Sequence, residues 1–523
     1  MANELTLLGR AEYHAFEAAG AHFLYLVPSA AVFRLGGAAG AVLAALGDRM
    51  LPLDELTAAL ADGFSREQIV AGVNELLAVR AIRTRAAPAL VPAAAASVPV
   101  AAAAVPVAVA SAPVAAASAP VAGSPLTSST TSPSAAPAPA RKPVRSIPLT
   151  TLVLNVTSKC NLACTYCYEY GEDRIVDEGT KPRFMDEKTA RQSVDFMMQE
   201  SGTNKVVHLT FFGGETLLNF KVLQSALQYA RARAAELGKE VDVSLTTNAT
   251  LLRPEVVDWM IENSVGVTVS IDGAREQQDK FRVFSNGAGS YDVVLPKIRD
   301  LLARHRARPI GARVTLTRQN LDVLGIFRHL TEDIGFWEVG FAPVTTSSQR
   351  DYAIRDAGFN DMLGQFQQLA GQFLDYTLAD RHHGFSNVKD TLEEVHKGMS
   401  KAYPCGAGLG LMGVATDGDV ALCHRFAGSD EHRIGSVYDG VDVARQHDFL
   451  ERHHIEHKTD CRTCWARPIC AGGCYHEAHT RYGTTERPNL HYCDWIRSWT
   501  DTCLRVYGTL AERKPEYLAR FDA

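Results

Sequence analysis

Beyond residue 150 the chain alternates between short, nearly continuous apolar runs and longer amphipathic stretches. The runs at 150–157, 206–212, 241–246, 265–271, 310–316 and 337–343 are rich in Val, Ile, Leu, Phe and Thr, with room for a helix between each pair. Strands buried on both faces require such runs, and strand–helix alternation marks a parallel α/β sheet. Six units predict an open, partial (β/α)6 barrel. Its functional residues should follow the strands, at their C-terminal ends. No internal repeat stands out.

The first 85 residues follow another pattern. Residues 22–27 and 31–35 read as two short strands around Pro28-Ser29, and 53–61 as a helix. A second helix begins at Ser65, with Gln68 three residues on as in a capping box, and Ile69, Val73, Leu76 and Leu77 on one face. Strands and helices in this order suggest a winged-helix-like module at 1–85. It reads either as a generic small fold or as a peptide-recognition module whose edge strand pairs with an extended ligand.

Composition separates the two parts. Residues 86–140 hold no Asp, Glu, Lys or Arg and consist almost wholly of Ala, Pro, Val, Ser and Thr. Recurrent prolines (Pro88, Pro92, Pro99, Pro106, Pro113) break helices and argue against a membrane span. The reading is a disordered Ala/Pro-rich linker at 86–147. A barrel at 148–370, a bridging region at 371–403 and a C-terminal domain at 404–523 follow. The formal charge is −6 over 523 residues, which disfavours a nucleic-acid binder. The N-terminus has no basic-then-apolar export signal, so a cytoplasmic protein is expected. Clustered cysteines there are metal ligands or catalytic groups more often than disulfides.

Eleven cysteines carry most of the chemistry. The first group follows the first strand: Cys160-Asn161-Leu162-Ala163-Cys164-Thr165-Tyr166-Cys167, spaced C-x3-C-x2-C. Three thiolates on one tight loop can hold three irons of a [4Fe–4S] cluster and leave the fourth open. A zinc site, which usually takes four closed ligands, is the plainer alternative.

This motif resembles the signature of the radical S-adenosylmethionine (SAM) superfamily. The resemblance covers about 150–344 and implies the partial barrel, a SAM-bound cluster on Cys160, Cys164 and Cys167, and hydrogen abstraction by a 5′-deoxyadenosyl radical. In the same frame Phe211-Phe212-Gly213-Gly214-Glu215 is similar to the motif that holds the SAM amino group, with Thr216 where many relatives have Pro. Thr246-Thr247-Asn248 and Ser270-Ile271-Asp272-Gly273 resemble motifs at the ribose or methionine end. The implied SAM contacts are Tyr166, Gly213, Gly214, Glu215, Thr247, Asn248 and Ser270. Arg282 is a candidate partner of the SAM carboxylate or else a surface arginine.

The later cysteines are patterned too. Cys405, Gly418-x4-Cys423, Cys461-x2-Cys464-x5-Cys470-x3-Cys474 and Cys493 resemble the SPASM iron–sulfur domain of peptide-modifying radical SAM enzymes, over about 404–495. The resemblance implies one auxiliary [4Fe–4S] cluster on Cys461, Cys464, Cys470 and Cys493, and another on Cys405, Cys423 and Cys474, making three clusters in all. Cys503 is left over. Some relatives supply a fourth ligand near Cys405, where this chain has Leu411. The second auxiliary cluster is therefore open to a substrate thiolate or is closed by Cys503, unless Cys503 is a free buried thiol.

The runs around Cys405 and Leu422-Cys423-His424-Arg425-Phe426-Ala427-Gly428 look most like the thioether-forming branch, in particular the maturation proteins of quinohemoprotein amine dehydrogenase. That likeness implies a small Cys-containing protein or peptide substrate, cross-links from Cys sulfur to Asp or Glu methylene carbons, and an external electron donor. Sulfatase-type oxidation, carbon–carbon bond formation and a non-catalytic peptide scaffold are the alternatives. His453, His454 and His457 read as a solvated helical face. His424 and His476 are candidates for hydrogen bonds to cluster sulfurs, and Asp417 and Asp419 read as turn residues. No general base is evident.

Overall fold

The computed structural model describes residues 6–86, 147–176 and 181–522, in two compact units. All but the ends of the expected linker lies outside the described residues.

The N-terminal segment contains β1 (Thr6–Arg10), β2 (Tyr13–Ala18), β3 (Ala21–Leu26), β4 (Ala31–Arg34), β5 (Leu51–Pro52) and β6 (Ile82–Ala86). They form two sheets of order β5-β1-β6 and β2-β3-β4. Helices Gly37–Leu46, Leu53–Ala59 and Arg66–Ala78 complete it. Ser65 caps the last of these with the full capping box, as its spacing predicts. Leu8, Val42, Leu46, Leu56, Ile69, Val73 and Leu76 build the core. Gly72 lets the first and third helices touch, since a Cβ there would lie 2.9 Å from the Ala39 nitrogen. The helix at Gly37–Leu46 is not evident in the sequence, because two internal glycines mask a helical pattern otherwise made of Ala, Val and Leu.

All six barrel strands occur where the apolar runs place them: β7 (Thr151–Asn155), β8 (Val206–Phe212), β9 (Glu240–Thr247), β10 (Gly266–Ser270), β11 (Ile310–Leu316) and β12 (Glu338–Pro343). They lie parallel in sequential order. Side chains alternate across each strand. On β8, Val207, Leu209 and Phe211 join the core shared with helices such as Glu187–Glu200 and Phe220–Glu236. His208, Thr210 and Phe212 take the other face, which is polar across strands. There Thr210 Oγ1 and Ser244 Oγ are 3.0 Å apart, and His208 Nδ1 lies 3.1 Å from Asp242.

The sheet does not stop at the barrel. β13 (Leu411–Val414) pairs parallel with β7, and β14 (Asp419–Ala421), β15 (Arg433–Ser436) and β16 (Gly440–Val441) extend it antiparallel to ten strands. Strands from beyond the expected boundary at 404 therefore continue the barrel's sheet. Lys181 reinforces the join by pairing with Asp417 at 2.9 Å and Asp419 at 2.7 Å. Those two acids flank the turn at Gly418 as expected, and they also bind this lysine. Among the described residues no helix is long and apolar enough to cross a membrane.

Candidate functional site

The loop after β7 carries the first cysteines, and the ends of β8, β9 and β10 converge on it. Burial pushes the thiol of Cys160 up to about 11 and that of Cys164 to about 12, and nearby Cys167 raises both further. All eleven cysteines are free thiols. Three neighbouring thiols on one loop suit an iron–sulfur cluster, whose assembly would draw off their protons.

The glycines of the next motif serve this loop. A Cβ on Gly214 would sit 2.1 Å from the Lys159 carbonyl oxygen, and one on Gly213, whose φ is +124°, 2.4 Å from that of Thr157. Backbone bonds tie the strands together here: Gly214 N donates to Thr157 O at 3.0 Å and Glu215 N to Lys159 O at 2.9 Å. The close approach is thus between two segments of this chain.

Glu215 is 1% exposed, and burial raises its carboxyl above the ordinary range. Its oxygens accept from Thr247 Oγ1 at 2.7 Å, Asn248 N at 2.7 Å and Leu217 N at 3.1 Å. The carboxylate locks the end of β9 to the end of β8. Asn248 carries the linkage onward. Its Nδ2 lies 3.0 Å from Asn161 Oδ1 and 3.7 Å from Cys160 Sγ.

Tyr166 and Arg282 meet at a residue not singled out from the sequence. Asp272 is fully buried, accepts from the Tyr166 hydroxyl and, at 3.0 Å, from Thr315 N, and forms an ion pair with Arg282, whose Nε lies 3.0 Å from Oδ2. Arg282 is 8% exposed and lies over the Tyr166 ring. The surface alternative for Arg282 fails, because its counter-ion is the buried acid of the β10 motif. Asp272 was visible inside that motif; only the fold shows that it joins the cysteine loop to β11. Ser270 ends β10 opposite Arg313.

The remaining cysteines act on one another electrostatically. Cys423 feels Cys405 and Cys474, while Cys461 feels Cys464, Cys470 and Cys493. Lys458, 4% exposed, is acted on by Cys461, Cys470 and Cys405 and so lies between the groups. Cys503 joins neither. It is fully buried on helix Cys493–Arg513, with a hydrogen bond to Thr391.

One histidine departs from expectation. His453 is fully buried, stacked on Phe449, with Nδ1 2.6 Å from Phe449 O and Nε2 2.8 Å from Thr485 Oγ1. It is a core residue, because the helix turns that position inward, whereas His454 and His457 remain partly exposed. His424 packs on Phe212, and His476 sits edge-on to Tyr168 with both ring nitrogens unpartnered.

A cavity of about 690 Å³ lies against this assembly. Cys160, Cys164, Tyr168 and Tyr170 line one side, and His424 and Arg425, next to Cys423, line the other. His424 and Arg425, next in sequence to Cys423, therefore line the same half-open pocket as the first cysteine loop.

Residues 154–318 match the family model of the radical SAM superfamily. A serine-type anaerobic sulfatase-maturating enzyme of Bacteroides thetaiotaomicron is 28% identical over 373 residues, 66% of this chain and 86% of that one. A cysteine-type counterpart from Clostridium novyi is 22% identical over 387 residues, covering 70% and 99%. The solved structure of native anSMEcpe with bound AdoMet and Cp18Cys peptide aligns with a TM-score of 0.57 at 19% identity, over 71% of this chain and 99% of that one, and shares its fold. With three cysteines after the first of six parallel strands, and the glycine motif after the second, residues 154–318 are a radical SAM domain.

Proposed function

We propose that this protein is a peptide maturase that forms thioether cross-links between a substrate cysteine and a carbon of the same polypeptide. The observation that supports the reading is the shared pocket, lined by Cys160 and Cys164 and by His424 and Arg425, the neighbours of Cys423. A reaction joining a carbon to a sulfur needs both partners held in one place.

Cys160, Cys164 and Cys167 would hold the first cluster, beside SAM. When bound, that pair supplies the radical chemistry that removes hydrogen from an unactivated carbon. The chain positions its parts. Glu215 fixes Thr247 and Asn248, and Asp272 orients Tyr166 and Arg282. Cys405, Cys423 and Cys474 would hold a second centre with three thiolates, leaving a place for the substrate's own cysteine. Cys461, Cys464, Cys470 and Cys493 would hold a third, fully ligated, as an electron relay. Residues 1–85 would capture part of the substrate, with 86–147 as tether. The curated relatives named for sulfatase maturation favour a second reading, oxidation of a Cys or Ser to formylglycine.

The test is the intact mass of a small Cys-containing polypeptide co-expressed anaerobically with the protein. Cross-linking gives a loss of about 2 Da per bond, resistance of that cysteine to alkylation, and no carbonyl. A hydrazide-reactive carbonyl would establish the formylglycine reading. Intact SAM after loading and reduction would refute both.

A further inference from the structure

We propose that Arg313, supported by Arg425, forms a carboxylate-binding position in the barrel mouth, and that the acid it takes is an Asp or Glu side chain of the peptide substrate. The identity of that acid rests on the maturase reading; the binding of a carboxylate does not.

Arg313 lies near the end of β11. Its neighbours Ala312 and Val314 are buried in the core, so Arg313 takes the lumen face with Gly311 and Thr315. It stands in register with Ser270 on β10 and Gly340 on β12. Val269, one residue before Ser270, pairs with Thr247. Arg313 thus occupies the layer in which the Thr247-Asn248 and Ser270 motifs end. Gly340 leaves it room, since a Cβ there would lie 3.2 Å from Arg313 Nη1.

The guanidinium lacks a partner of its own. Among the described residues it makes no ion pair and no hydrogen bond. Its side chain is open to solvent in the lumen, yet the protein around it and the like charge of Arg425 push it below its ordinary pKa, and Asp390 pulls the other way without an ion pair. The acid on the next strand, Glu338, is taken by Lys389 at 3.0 Å. Arg425 donates to Thr345 Oγ1 at 2.9 Å, lies over the Tyr168 ring and lines the cavity beside Cys160 and Cys164. Two neighbouring cations facing one lumen favour an anion between them. A planar guanidinium with free donors takes a carboxylate in fork geometry. An acid held at this layer would put its own methylene carbons beside the cysteine loop.

The experiment uses the cluster-loaded full chain with SAM, under argon. N-acetyl-aspartate methylamide is the probe, N-acetyl-asparagine methylamide its uncharged isostere, and calorimetry the readout. The aspartate probe is expected to bind ~10-fold or more tightly than its isostere. Arg313→Gln should abolish that preference, Arg313→Lys restore part of it, and neither change SAM affinity. Equal binding of the two probes, or an unchanged preference in Arg313→Gln, overturns the proposal. Weakened SAM binding in both variants would assign the position to the carboxylate of SAM and overturn the substrate assignment. A peptide that gains no cross-link while the probe preference still depends on Arg313 would sink the maturase reading and leave the subsite standing.

Discussion

Glu215→Gln separates two roles for the motif after β8. If the carboxylate served only a bound cofactor, its loss would leave the apoprotein as stable as before. The structure says otherwise, because Thr247 Oγ1, Asn248 N and Leu217 N already donate to it in a site that is 1% exposed. Glutamine keeps one acceptor oxygen and replaces the other with an NH2 group. Whichever way it turns, a buried donor faces a donor. One charge-assisted hydrogen bond is lost, about 1.5–3 kcal/mol, and a donor is stranded, about 1–3 kcal/mol. The sum, about 2.5–6 kcal/mol, is a large share of a domain's stability. Burial already raises the carboxyl pKa, so the lower end of that range is expected. Urea unfolding of apoprotein, without SAM or iron, reads this directly. The midpoint should fall sharply with the slope unchanged. A loss below about 1 kcal/mol would refute the assignment of Glu215 as the lock between β8 and β9.

Further outcomes follow from the same geometry. Gly214→Ala drives a Cβ into the Lys159 carbonyl, which no rotamer change can relieve, so iron at the first site should drop while the C-terminal cysteines keep theirs; unchanged total iron would contradict this. Cys503→Ala should leave iron content untouched and cost about 1–2 kcal/mol through the lost contact volume, and loss of one cluster's iron would restore Cys503 as a ligand. His383, His432 and His453 are buried and depressed to about 4. The folded state thus favours their neutral forms, so their stabilisation is full above pH 6.5 and is lost as pH falls toward 4, by up to about 3 kcal/mol each. A urea midpoint that holds steady from pH 7 to pH 5 would refute that.

The six barrel strands were legible because parallel strands buried on both faces leave continuous apolar runs, and the capping box at Ser65 because it is local chemistry. The first three cysteines stood out by their C-x3-C-x2-C spacing after the first strand, and they lie on the loop after β7. His453 was misread because charged neighbours in sequence say nothing about which side of a helix meets the core. The continuation of the barrel sheet through β13 joins residues more than 250 positions apart, and no local pattern encodes such a pairing. The same holds for the role of Asp272, for the burial of Arg282, for the Thr391 partner of Cys503 and for the unpartnered Arg313. Sequence alone determined which elements form and which ligand chemistry the chain carries, because both are written in spacing and periodicity. Only the tertiary structure decided which charges are paired, which thiols are neighbours and which surfaces enclose the cavity, because burial and electrostatics depend on distances in space that the order of residues does not contain.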